Sequence, residues 1–451
     1  MSGAVVNITR TIDARPVSRF QWLAIGLCLL VALIDGYDIT SISYAAPAMR
    51  HELGLDAGML GPIFSIALFG GLIGNLVCGP FGDSLGRRGL IIANTLLFGA
   101  ATLATAQVSS FSGLLAVRFL AGFGCGVANV TCYALAAEYA PRRIGATTVM
   151  LVTAGYAIGA GSGGALAAYL IPAFGWRAVF YVGGSGALVI GAALIRVLPE
   201  SLRFLSLRDA QSPQVARLLA RIDPSIGTGA GMRFVSEEEA KSGLPVRHLF
   251  TERRALGTIL LWVMFFMNLI ELFFAQQWLP TVINAAGLDL SKAVSTGAVL
   301  QLGALTGALL YSRFVDRREN PYALVAGTFV CGAFFFILLA QAKSSLPLVM
   351  VSVFGIGFFV PGVQFAMNGL ATMFYPTYIR ATGVSWAVGI GRLGATIGPL
   401  FAGILLSFYW PVASVLEMAV IPAFCSTCAA LAMSYVLSQR GREAPRMAAA
   451  K

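Results

Sequence analysis

Twelve stretches of this chain are each long and apolar enough to cross a lipid bilayer, and that leaves few folds open. Crossing about 30 Å of hydrocarbon takes roughly 20 helical residues at about 1.5 Å each. The runs are 22–44, 58–80, 90–108, 112–137, 146–171, 177–198, 256–280, 294–312, 321–341, 346–374, 382–407 and 413–437. Inside a bilayer every backbone N–H and C=O must find a partner within protein, which restricts spanning segments to helices and closed barrels. Barrel strands are short and alternate with period two, whereas these runs are continuous and rich in glycine. The expected fold is therefore an all-α membrane protein. With 57% hydrophobic and 11% charged residues, the chain is excluded from the soluble globular class.

Charge sets the expected orientation. Arg10, Arg15 and Arg19 precede the first run, which is too long, and too polar at Asp35 and Asp38, for a cleaved signal segment. If the N-terminus is cytoplasmic, about 25 of the 31 Lys and Arg fall on the cytoplasmic side, and only Arg50, Arg177, Lys292 and Lys343 on the other. Cytoplasmic loops carry the basic excess, so both termini are expected inside. The net charge of +11 is sorted by side rather than gathered into a stripe, which argues against nucleic acid as a partner.

Several chemistries are disfavoured. No Gly-x-x-x-x-Gly-Lys-Ser/Thr motif is present, and His51 and His248 both lie outside the spans, so nucleotide-driven pumping and enzyme work are not expected. Cys28, Cys78, Cys125, Cys132, Cys331, Cys425 and Cys428 are scattered through apolar runs, and even the Cys425-x-x-Cys428 pair lacks a second pair. They are expected to be packing residues, with no metal and no cofactor.

The chain also reads as a duplication. A tail at 1–20 leads into six spans over 21–198, a charged linker over 199–255, six more spans over 256–437 and a tail at 438–451. Gly79-Pro80-Phe81-Gly82-Asp83-Ser84-Leu85-Gly86-Arg87-Arg88 follows the second span, and Ser312-Arg313-Phe314-Val315-Asp316-Arg317-Arg318 follows the eighth. Superposing Asp83 on Asp316 sets an offset of 233 residues, which carries Asp35 and Asp38 onto Asn268 and Glu271, another polar pair inside the first span of its half. Six-span repeats of this kind are a transporter outline.

The resemblance then becomes specific. "GPFGDSLGRRG" resembles the loop signature of the major facilitator superfamily, "RFLAGFGCGVANVTCYALAAEYAPRR" its fourth-helix pattern, and "GYAIGAGSGGAL" its glycine-rich fifth helix. "DGYD" in the first span with "GIGRLGATIGP" in the eleventh is similar to the aromatic acid:proton symporter family. Two positions depart from the pattern: Ala128 stands where a proline often precedes the polar residue, here Asn129, and the second loop lacks its Gly-Arg-Arg ending. The resemblance implies two six-helix pseudo-repeats, no cofactor, and import of a benzoate- or hydroxybenzoate-type acid driven by the proton gradient. The partners are then the ring acid, protons and the lipid bilayer, and the chain is expected to act as a monomer.

Site residues follow from charges in places where charge is costly. Asp35 and Asp38 lie about 300° apart on a helix and share one face. An ionised aspartate at mid-bilayer costs roughly 2.5–3.5 kcal/mol even on gentle scales, and two repel, so one is expected to hold a proton part of the time. Alternatively the pair caps a kink at Gly36 or bonds a neighbouring helix. The resemblance implies that the pair is needed for transport. It also implies that Arg118 couples protonation to conformational change, unless Arg118 is a purely structural partner. Glu271 is the third intramembrane acid of this proton-coupling set.

Arg392, about halfway across the eleventh span, offers a planar fork suited to a carboxylate. It is expected to receive the substrate, or else to form a permanent ion pair with Glu271 or Asp35. Tyr37, Tyr133, Phe273, Phe365 and Trp386 are candidates for walls around a ring, and Asn129, Asn268, Gln364 and Asn368 for ring hydroxyls. Asp83, Arg87 and Arg88 with Glu138, and Asp316 in the second half, are expected to form a cytoplasmic gate. A sugar or polyol porter is the nearest rival, favoured by Tyr37-Asp38, Gln276-Gln277 and Pro199-Glu200-Ser201. A sensor that binds ring acids without flux and a multidrug exporter are further alternatives.

Overall fold

The computed structural model describes residues 5–78, 85–224, 233–235, 246–251, 254–315, 320–342, 345–375 and 379–448. Among them, twelve helical spans are long and apolar enough to cross a membrane. The first six are α2 (Arg19–Leu53), α3 (Ala57–Cys78), α4 (Arg87–Thr105), α5 (Phe111–Tyr139), α6 (Gly145–Phe174) and α7 (Arg177–Val197), preceded by a short α1 (Ile8–Ala14). Two short helices follow, α8 (Leu202–Arg208) and α9 (Pro213–Ile222). The second half comprises α10 (Ala255–Ala285), α11 (Leu290–Val315), α12 (Tyr322–Gln341), α13 (Leu346–Phe359), α14 (Pro361–Phe374), α15 (Arg380–Ser407), α16 (Val412–Glu417) and α17 (Val420–Ala448).

Proline accounts for the main irregularities. The tenth run is cut at Val360 because Pro361 has no N–H and its ring crowds the preceding turn; α13 ends and α14 starts on either side. Pro280 lies inside α10 and cannot donate to the Gln276 carbonyl one turn earlier. The Ser43 hydroxyl on α2 donates to that carbonyl at 3.0 Å and to the Gln277 carbonyl at 2.8 Å. A side chain thus satisfies the backbone group that proline strands, as a dry interior requires.

The chain divides into two compact units that do not follow the two halves of the sequence. The first comprises residues 1–39, 69–160 and 177–242; the second comprises 40–68, 161–176 and 243–451. Within the first unit, α4 packs on α5 and α7. Here α2 and α6 cross at two glycines: a Cβ on Gly36 would overlap the Tyr156 carbonyl, and one on Gly159 the Leu33 carbonyl. Small residues let membrane helices approach to backbone contact.

The first unit also carries a small non-membrane layer. Asn7 accepts from Arg10 N and starts α1, and Ser212 with Pro213 starts α9, whose Val215, Ala216, Leu219 and Ile222 are buried. Strand β1 (Val5–Asn7) pairs in parallel with β2 (Arg233–Val235), Val6 opposite Phe234. Arg15 pairs with Asp223 at 3.0 Å, and the Arg143 guanidinium donates to the Asp13 and Arg15 carbonyls at 2.9 and 2.6 Å.

In the second unit, α10 packs on α15 and α17, and α11 on α13 and α14. A core forms around Phe265, Phe329, Leu370, Ala371 and Met433. The ends of three first-half helices belong to this unit. Tyr44 of α2 lies against Gly164 of α6 and Gly297 of α11, and Gly61 of α3 faces Gly403 of α15. Phe64 of α3 meets Trp278 edge-on at 5.2 Å, and the Trp278 indole donates to the Pro399 carbonyl at 3.0 Å.

Candidate functional site

The first unit holds a buried polar cluster on α2, α4 and α5. Asp35 and Asp38 are each 1% exposed and Arg118 is fully buried. The Arg118 guanidinium meets Asp38 Oδ1 at 3.3 Å and donates to the Asp38 backbone carbonyl at 3.2 Å. Thr102 Oγ1 donates to the same Oδ1 at 2.5 Å, and Cys125 Sγ lies 3.8 Å from Oδ2. The Phe180 ring sits 5.9 Å from the guanidinium carbon. One turn along α2, Asn129 Nδ2 donates to Asp35 Oδ2. The helical spacing that puts both acids on one face of α2 thus delivers them to α5 through two of its residues, Arg118 and Asn129.

Such an arrangement stabilises buried charge. Two ions taken from water each lose several kcal/mol of solvation, recovered only where geometry and extra hydrogen bonds are good. Around Asp38, the side chains of Arg118, Thr102 and Cys125 serve that purpose. Thr102 and Cys125 were not singled out as site residues by the sequence, since a Thr in "AATLATA" and a Cys in an apolar run look like packing.

Tyr37 is buried and donates to the Val179 carbonyl at 2.9 Å, so its hydroxyl is engaged within the first unit. Tyr133 is half-buried on α5. In the second unit Asn268 is fully buried and donates to Gln364 Oε1 at 2.7 Å, and Gln364 donates to Asn368 Oδ1 at 3.4 Å. Three of the four predicted amides therefore form one chain across α10 and α14. Phe273 and Phe365 are half-buried. Trp386 is 42% exposed and stacks on Trp262 with ring centres 5.8 Å apart.

Arg392 is half-buried on α15, and its carbonyl accepts from Thr396 Oγ1 at 3.1 Å. Glu271 is fully buried on α10, and neither carboxyl oxygen has a hydrogen-bond partner among the described residues. The alternative in which Glu271 permanently pairs with Arg392 is therefore not formed.

The residues expected to form a gate cluster on the first unit as far as they are described; Asp83 and Asp316 lie outside the described residues. Arg87 pairs with Glu138 at 2.8 Å, and Arg88 donates to the Ile195 carbonyl at 2.5 Å. Gly86, at φ +88°, turns the chain into α4, whose open N-terminus is capped from a distance: Glu200 Oε1 accepts from Arg87 N at 2.9 Å and Arg88 N at 3.0 Å. Ser201 Oγ donates to Glu138 at 2.6 Å, and the Tyr139 hydroxyl donates to the Glu200 carbonyl at 2.6 Å. Glu200 is the member that sequence reasoning did not place here, although it sits in the Pro199-Glu200-Ser201 run.

Residues 28–392 match the family model described as Major Facilitator Superfamily. The chain belongs to that superfamily. It is a multi-pass membrane transporter rather than an enzyme. It is 36% identical to the 4-hydroxybenzoate transporter PcaK of Acinetobacter baylyi, over 94% of this chain and 93% of that protein. Identity to a gallate transporter of Pseudomonas putida is also 36%, over 95% of both chains. The fold matches the xylose transporter XylE from E. coli in a partially occluded inward open conformation, with a TM-score of 0.71 over 92% of this chain and 97% of that one at 18% identity.

Proposed function

We propose that this transporter imports a benzoate- or hydroxybenzoate-type carboxylate together with protons across a bacterial inner membrane, by alternating access and with both termini cytoplasmic. One observation carries the reading: the buried Asp35, Asp38 and Arg118 cluster, in a chain whose relatives are named for hydroxybenzoate and gallate transport. An anion entering a cell about 100 mV negative inside is opposed by roughly 2.3 kcal/mol per charge. Proton coupling offsets that opposition.

A proton delivered to Asp38 removes the negative end of its ion pair and frees Arg118 to move. Protonation thereby becomes a packing change in α2 and α5. Glu271 accepts a proton without breaking an ion pair, and Arg392 receives the carboxylate. The amide chain Asn268–Gln364–Asn368 supplies donors and acceptors for ring hydroxyls. With the N-terminus inside, the joint of residues 40–68 with α10, α11 and α15 is the extracellular seal that opens to admit the acid.

Purified protein in liposomes tests this with radiolabelled benzoate and 4-hydroxybenzoate. An inward proton gradient should drive accumulation, and glucose should not compete. Asp35→Asn should abolish gradient-driven accumulation while sparing exchange, and Arg392→Ala should weaken carboxylate affinity at least tenfold. Equal accumulation with the pH difference collapsed and the voltage clamped at zero refutes the coupling.

A further inference from the structure

The second unit contains a cavity of about 260 Å³ whose walls are apolar at every point but one. Phe274 and Ile270 of α10, Phe401 and Ala402 of α15, and Met418 and Ile421 near the start of α17 line it, and among the described residues Glu271 is its only polar side chain. Glu271 is fully buried, with both carboxyl oxygens lacking a hydrogen-bond partner among the described residues. Nearly every buried carboxyl in a native structure has one, so the exception asks what is meant to face it. Among the described residues, no Lys, Arg, His or second acid lines the cavity.

The rim identifies the route in. Phe401 is 49% exposed and Ile421 53%, so the cavity opens on an apolar helix surface at membrane depth. An occupant must be lipophilic enough to arrive through hydrocarbon, of single-ring size to fit, and able to satisfy a lone carboxyl. A carboxylate brings like charge to the ionised Glu271. A divalent cation needs about six oxygen ligands, and this cavity offers one carboxyl. A protonated amine supplies both counter-charge and N–H donors.

We propose that the pocket between α10, α15 and α17 binds a lipophilic amine, its ammonium on the Glu271 carboxylate and its ring between Phe274 and Phe401. The amine and a proton then compete for one carboxyl. Ile397 and Phe401 lie along the same helix as Arg392, and Glu271 lies one turn from Asn268, so an occupied pocket stiffens the two helices that carry the candidate substrate contacts. The site stands on the cavity and the unpartnered acid, whichever solute the chain carries.

Full-length protein in lipid nanodiscs is titrated calorimetrically with 4-butylbenzylamine and with the neutral 4-butylbenzyl alcohol, subtracting empty discs. The amine should bind at least tenfold tighter than the alcohol. Glu271→Gln should erase that preference, and Ala402→Leu, which fills the cavity, should weaken both ligands about tenfold. Asp35→Asn should leave amine affinity within twofold. The proposal is overturned if the wild type does not prefer amine over alcohol, if Ala402→Leu binds amine as the wild type does, or if the preference survives Glu271→Gln. It is equally overturned if Asp35→Asn, rather than Glu271→Gln, removes it. Ala402→Leu keeps the charge intact and decides the matter if Glu271→Gln does not fold.

Discussion

Replacing Asp38 by Asn would leave the Arg118 guanidinium, fully buried, facing a neutral amide. Breaking a buried pair from one side costs about 3–5 kcal/mol, because the surviving charge keeps its desolvation penalty and loses its counter-charge. Arg118→Gln should cost about as much for the mirror reason, stranding a carboxylate that Thr102 at 2.5 Å can satisfy only in part. The double variant removes both charges and both penalties. It should therefore be more stable than the summed singles by about 2–3 kcal/mol, the upper range for residues in contact. Unfolding in mixed micelles by added dodecyl sulfate, followed by tryptophan fluorescence, gives the four free energies of the cycle. Additivity within about 0.5 kcal/mol would refute an energetically coupled pair and, with it, the idea that protonating Asp38 releases Arg118.

Gly36→Ala should lower the yield of monodisperse protein and its melting temperature by several degrees, read by size-exclusion after heating, because the added methyl meets the Tyr156 carbonyl; wild-type behaviour would mean that α2 and α6 can separate without loss. Glu200→Ala removes the acceptor for Arg87 N and Arg88 N and should cost about 1–2 kcal/mol in the same micelle titration, with Glu200→Gln losing less; equal losses would remove charge from the cap. Ser43→Ala removes the hydroxyl that donates to the Gln276 carbonyl, which Pro280 cannot serve, and should cost about 1 kcal/mol. Adding Pro280→Ala restores an N–H and should recover most of that loss; no recovery would show that the hydroxyl serves something else.

The spans were legible because hydrocarbon punishes any unpaired backbone, so their length and apolarity are nearly forced. The break at Val360 was hidden inside an apolar run and marked only by Pro361. Of the acids, Asp38 found its cation in Arg118, 80 residues away in the chain, a pairing that packing set and no spacing named. At the offset of 233 residues, Thr102, Arg118 and Cys125 correspond to Phe335, Val351 and Phe358. The second half therefore carries an acid at Glu271 with none of the polar partners that surround Asp38. Polarity alone could pair Asn268 with Glu271, but not foretell that one would join an amide chain and the other face a greasy hollow. Glu200 was missed because its role depends on a loop folding back onto the start of α4, which no local spacing encodes.

The short ladder between Val5–Asn7 and Arg233–Val235 fastens two points more than two hundred residues apart in the chain, like a hasp closing on the nine α-helices described between them. Co-expressed fragments cut after Val235 would keep both sides of that fastening on one piece, whereas fragments cut between Ile222 and Arg233 would part them. Where a biochemist chooses to split this chain, or to hang a bulky fusion on its first residues, should therefore decide whether the leading bundle assembles on its own.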